Sequence, residues 1–356
     1  MALKINLSED RLATLDKSGM LGKTLELPQQ ILAGLDLGRD FVRAHRLCKP
    51  EALDWFGLGG SAVAADLLQG FGLEPPVLPL RIAVQRYPRE SADMRLVSSY
   101  SGNTVESVHA FEATPPSRIW FTMSSGGRLQ ELSQKAGVAH LKLPGGYPPR
   151  AAVGFGLGAM IAIFDALYGF QVAPKCRAIC ETLSRVAEEY RVLSLESNPA
   201  LALAAKLIDK VPVIYTVDGL GMPAQAFRFR AQLSENSKVW SHASPLPEMA
   251  HNEVEAFEFL GQVLPPPLVI FLGEWYFGKT FTDPRLGMKS LLDSYRISHL
   301  TLDPAELWGR EMSRLETGLR MLLLLDAATV YLAVLRAQDP MDIPIITKLK
   351  NYQPVA

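Results

Sequence analysis

The sequence predicts an α/β protein built on parallel sheets covered by helices, and three features of its 356 residues carry that expectation. Apolar runs of strand length alternate with helix-like periodic segments, and the runs close on glycine-rich turns. The chain also exceeds the length one hydrophobic core usually supports, so two packed units are expected. In the first half, strands are expected at residues 53–57, 80–84, 95–100, 119–123 and 140–143, most of them followed by a helix. In the second half, strands at 211–217, 268–272 and 298–302 are joined by helices at 224–233, 288–294 and 312–336. The charged helical stretch 175–194 reads as a connector. This places an N-terminal domain at 1–172, the connector at 173–198 and a C-terminal domain at 199–356.

Composition removes several classes of function. With 48% hydrophobic residues, 21% charged residues and a net charge of -1, the chain is neither disordered nor basic enough for a nucleic-acid binder. Residues 151–173 are long enough to span a membrane and carry one charge, Asp165, yet their small residues suit a buried helix, and 321–335 reads the same way. The N-terminal stretch MALKINLSEDRLATLDKSG mixes charge with apolar residues, so export is not expected. Cys48, Cys176 and Cys180 form no disulfide framework, which fits a reducing cytoplasm. No membrane or nucleic-acid partner, metal or cofactor is expected.

Three turns could hold an anion. Gly57-Leu58-Gly59-Gly60-Ser61 follows a strand and opens a helix, so its amides can face a phosphate. It also fits a loose dinucleotide pattern, but the next strand ends on Gln85 and Arg86 where an acidic residue would be required, and no lysine follows the glycines. Ser99-Tyr100-Ser101-Gly102-Asn103-Thr104 offers three hydroxyls where the next helix begins. Capping that helix uses only one of them. Ser124-Ser125-Gly126-Gly127 repeats the device.

The ordered motifs GLGGS, SYSGNT, MSSGGRL and PGGYPPRAAVG, continued by QLSENSK, LPEMAHNE and KLKNY, resemble the bifunctional phosphoglucose/phosphomannose isomerase family. The resemblance spans nearly the whole chain. It implies two sugar-isomerase (SIS) subdomains, each doubly wound and flavodoxin-like, in a homodimer that interconverts hexose 6-phosphates at a shared active site. By similarity, Ser99, Ser101 and Thr104 grip the phosphate while Gly59, Gly60 and Ser61 line the sugar. Moving a carbonyl between C1 and C2 needs a base, a cation for the enediolate and help with ring opening. Glu235 resembles the family's proton-shuttling glutamate, Arg150 could steady the enediolate, and His251 looks like the ring-opening histidine, supplied in relatives by the partner subunit. Lys350, on a C-terminal tail returning to the site, resembles the lysine at the ring oxygen, with Lys348 as its competitor. A non-catalytic sugar-phosphate sensor is the alternative, disfavoured because it has no need of a base. The two Glu-x-x-His stretches, at 106–109 and 248–251, would suit a di-iron site only on four facing helices, which this pattern does not predict.

Overall fold

The computed structural model describes residues 7–71, 81–85, 94–217, 222–263, 265–274, 283–308 and 312–352; side chains at 81–83, 85 and 350–352 lie outside that description. The chain forms two compact units. One comprises Met1–Leu25, Glu188–Met312 and Arg320–Ala356, and the other Glu26–Ala187 with Ser313–Leu319. Packing therefore divides the chain at other points than the sequence expectation does.

In the unit containing Glu26–Ala187, strands β1 (Ala52–Phe56), β2 (Arg81–Gln85), β3 (Met94–Ser98), β4 (Ile119–Ser124) and β5 (His140–Lys142) form a parallel sheet ordered β2-β1-β3-β4-β5. Every residue of β1 and β4 is buried, as expected of strands covered on both faces. The order reverses between β1 and β3, and at such a switch point the connections part and leave a crevice beyond the strand ends. Asp54 and Arg95, on neighbouring strands within this core, face each other at 3.4 Å. Arg95 also donates to Thr114 Oγ1 at 2.6 Å, so neither charge is buried alone.

Helix Leu27–Ala44, which the sequence reading did not identify, buries Leu27, Ile31, Gly34, Leu35, Gly38 and Phe41 at helical spacing. It lies backbone to backbone against helix Val153–Tyr168. A Cβ on Gly38 would collide with the carbonyl of Ala159, and one on Gly158 with that of Ile31. Gly38→Ala is expected to lower unfolding stability by about 1–3 kcal/mol, because one or the other helix must move. Gly22→Ala, where nothing stands within 4 Å of the new atom, is the control and should shift the urea midpoint little.

The 151–173 stretch expected as one buried helix holds the whole of one helix and the first residues of another. Val153–Tyr168 stops at Gly169 in the left-handed conformation, and Asp165 accepts hydrogen bonds from the amides of Val172 and Ala173 at the start of helix Val172–Glu189. The single charge in the apolar run is thus a capping group.

In the unit containing Glu188–Met312, β6 (Val211–Thr216), β7 (His242–Pro245), β8 (Pro267–Leu272) and β9 (Ser298–Leu302) form a parallel sheet ordered β7-β6-β8-β9. Numbered within each unit, both sheets run 2-1-3-4, and the first adds a fifth strand. Strand β7 was not anticipated, since it is a four-residue edge strand with no apolar run. Helix Arg314–Leu335 is apolar and long enough to cross a membrane, but 94% of its apolar window is buried within the protein. Asp326, a charge within that stretch, is held by Arg228 through Nε at 3.0 Å and Nη2 at 2.6 Å.

Candidate active site

Past the ends of β1 and β3, the first two turns are tied together. Ser61 Oγ accepts the Tyr100 amide at 3.1 Å, and Ser99 Oγ lies 2.8 Å from Thr104 Oγ1. Thr104 occupies the capping position of helix Val105–Glu112 yet makes no side-chain capping bond, so its hydroxyl leaves the helix's first amides to another acceptor. Ser101 is exposed, and its Oγ accepts the Asn103 amide at 3.2 Å. Gly102 has φ +70°, and a Cβ there would strike the carbonyl of Gly126, so this position requires glycine for both conformation and space.

That contact corrects the reading of the third turn. Ser124 Oγ donates to the Gly126 carbonyl at 2.7 Å and Ser125 Oγ to the Tyr100 carbonyl at 2.7 Å, so both hydroxyls are engaged by neighbouring backbone. The Arg128 amide reaches back to Asn103 Oδ1 at 2.9 Å. The third turn braces the second. His140 supports it from β5, with Nδ1 2.8 Å from Thr122 Oγ1 and Nε2 3.3 Å from Ser124 Oγ. Burial, and then the nearby Lys142 charge, push its imidazole down to about 4, so it is neutral at physiological pH.

Beneath the turns lies a small pocket, open to solvent, lined by Gly60, Ser61, Ser98, Tyr100, Met123 and Val153 among others. Arg150 does not line this pocket, but Pro149, the residue before it, does. A Cβ on Gly60 would lie 2.9 Å from the Pro149 carbonyl. Arg150 follows on the short turn Pro149–Ala151 and is buried. One unit therefore gathers Gly59, Gly60, Ser61, Ser99, Ser101, Thr104 and Arg150 on adjoining turns, with Gly60 and Ser61 on the pocket wall itself.

Glu235, His251 and Lys350 belong to the other unit and sit on three different elements. Glu235 ends helix Met222–Glu235 and is half-buried. The residues after it are anchored: Asn236 Nδ2 donates to Thr329 Oγ1 at 2.9 Å, Ser237 Oγ to the Thr329 carbonyl at 2.6 Å, and Lys238 Nζ to the Glu235 and Asn236 carbonyls at 3.2 and 3.0 Å. The ammonium thus satisfies carbonyls that the helix end leaves open. His251 is exposed on turn Glu248–His251. Just beyond it, Glu253 joins His242 Nε2 at 3.0 Å to the buried Tyr215, pinning the turn to the sheet. Lys350 lies in helix Pro344–Tyr352, its side chain outside the described residues; Lys348, in the same helix, is exposed.

Residues 196–352 match the family described as bacterial phospho-glucose isomerase C-terminal SIS domain. A bifunctional phosphoglucose/phosphomannose isomerase of Pyrobaculum aerophilum is 30% identical over 249 residues, covering 68% of this chain and 74% of the relative. The chain belongs to the bifunctional phosphoglucose/phosphomannose isomerase family. The family member from Caldicellulosiruptor bescii is 28% identical over 341 residues, 93% of this chain and 98% of its own. A D-glucosamine-6-phosphate 4-epimerase of Sulfolobus acidocaldarius is 26% identical over 212 residues, 58% of this chain and 64% of its own. Among solved structures, a hypothetical protein of Thermus thermophilus superposes with a TM-score of 0.69 at 16% identity, covering 97% of this chain and 93% of that one, a likeness of fold.

Ala62 and Ala65 are buried in the helix after the first turn, and the pocket is lined by Ala64. Ser234, beside Glu235, is exposed and donates to the Arg230 carbonyl. The sequence reading overlooked Tyr100, although it lies inside the SYSGNT motif. It lines the pocket and donates from its hydroxyl to the Pro144 carbonyl at 2.7 Å. Among the described residues, no three His, Cys, Asp or Glu side chains converge as a metal site would require.

Proposed function

We propose that this protein interconverts glucose 6-phosphate, and mannose 6-phosphate, with fructose 6-phosphate by proton transfer through an enediolate, without a metal. It would work as a cytoplasmic homodimer with a shared active site, serving glycolysis and gluconeogenesis. The observation that carries the reading is the hydroxyl-rich turn of Ser99, Ser101 and Thr104 beside the pocket, at a helix start whose cap residue does not cap. Hydroxyls, amides and the helix dipole there suit a phosphate without any lysine. The roles follow from the resemblance. Gly59, Gly60 and Ser61 line the sugar. His251 and Lys350 move protons during ring opening. Glu235 takes the proton from C2 and returns it to C1, while the Arg150 guanidinium, permanently charged, steadies the enediolate oxygens. The division into SIS-type domains at 1–172 and 199–356, joined by 173–198, belongs to the same reading.

The test is a coupled assay on the purified chain with EDTA present, starting from fructose 6-phosphate. Glucose 6-phosphate and mannose 6-phosphate are the expected products. Binding without turnover would replace the enzyme by a phosphosugar sensor, and a C4 epimer from glucosamine 6-phosphate would point to epimerase chemistry instead.

A further inference from the structure

We propose that Gln30 is a positioning residue for Arg150, acting from helix Leu27–Ala44 on the backbone that carries the arginine. This rests on the role given to Arg150 above. Gln30 is 2% exposed, and its amide spans the turn: Nε2 donates to the Ala151 carbonyl at 2.7 Å, while Oε1 accepts the Gly154 amide at 3.3 Å. The contact is close-packed as well, since a Cβ on Gly154 would lie 2.7 Å from Gln30 Cβ. Helix Val153–Tyr168 has no side-chain cap of its own, because alanine stands at the capping position, and Gln30 supplies from another helix the acceptor that Ala152 cannot.

One turn earlier on the same side, Glu26 Oε2 accepts the Tyr147 hydroxyl at 2.6 Å, and burial together with that carboxylate pushes the phenol up to about 12. The Tyr147 amide also reaches the Tyr100 hydroxyl at 3.4 Å, linking the segment to the pocket wall. Arg150 therefore sits between two fixed points, Tyr147 three residues before it and Ala151 immediately after. Pro148 and Pro149 stiffen the span between them. A guanidinium meant for charge that develops only in the transition state must be placed before the reaction begins. Loosening either point lets its carrier drift by the fraction of an ångström to which such groups are sensitive.

The experiment is a double-mutant cycle on the full chain. Gln30→Leu should lower kcat for fructose 6-phosphate about 10- to 100-fold with KM changed less than about 3-fold, since substrate anchoring is untouched. In an Arg150→Ala background the same change should cost less than about 3-fold, because the group it acts through is gone. An equal loss in both backgrounds, or a lower Tm with kcat unchanged, would make Gln30 a helix cap and overturn the inference. If Gln30→Leu does not fold, Gln30→Met, which keeps the side-chain length without either hydrogen bond, takes its place in the cycle with the same losses expected. Absence of turnover in the unaltered protein would overturn the isomerase reading, and this inference with it. A turning-over protein indifferent to Gln30 would overturn this inference alone.

Discussion

Glu235→Gln is expected to lower kcat about 10²- to 10⁴-fold, the range that a positioned acid–base group contributes, while fructose 6-phosphate still binds. The substitution keeps side-chain size and removes only the ionisable oxygen. Bonds from Asn236 and Ser237 to Thr329, and from Lys238 to the Glu235 carbonyl, anchor the helix end and are left in place by the substitution. Calorimetry with fructose 6-phosphate would report binding, and a thermal melt would report folding. Full turnover in a folded variant would remove Glu235 from the chemistry and leave the base unassigned.

The second large effect should fall on binding. Ser101→Ala combined with Thr104→Ala removes two hydroxyl donors from the turn proposed to hold the phosphate. A hydrogen bond to a charged group contributes about 1.5–3 kcal/mol, so the pair should raise KM about 100-fold or more with a smaller change in kcat. Thr104 is the more informative of the two. Its hydroxyl does not cap the helix but lies 2.8 Å from that of the buried Ser99, so a thermal melt should accompany the kinetics to report the loss of that bond. An unchanged KM in the folded double variant would move the phosphate away from this turn.

How much of this was legible in the sequence depends on how each element is stabilised. Strands β1 and β4 are buried on both faces, and their mostly apolar runs closing on glycine turns announced them. Strand β7 is a four-residue edge carrying His, Ser and Pro, and no hydrophobic pattern marks such a segment. Helix Leu27–Ala44 escaped for a different reason. Its buried face includes Gln30, Gly34 and Gly38, residues that dilute an apolar period, and their value lies in contacts with the backbone of a helix more than a hundred residues away. The same limit applied at the candidate site. The second and third turns carry nearly the same residue types, yet Ser124 and Ser125 are spent on neighbouring carbonyls while Ser101 stays exposed. Which hydroxyl faces solvent is decided by the interlock of Gly102 with Gly126, a tertiary contact no local pattern contains. The resemblance supplied the candidate roles for Glu235, His251 and Lys350, and spacing alone would not have.

The central claim, that a carboxylate carries a proton between adjacent carbons of a hexose 6-phosphate, is tested most directly by following hydrogen exchange. Purified protein, treated with EDTA and incubated with fructose 6-phosphate in D₂O, should incorporate solvent deuterium at C1 of the ketose and C2 of the aldose, read by NMR. Glu235→Gln should show almost none. Interconversion with no solvent deuterium at C1 of the ketose or C2 of the aldose, or exchange undiminished in Glu235→Gln, would contradict the account.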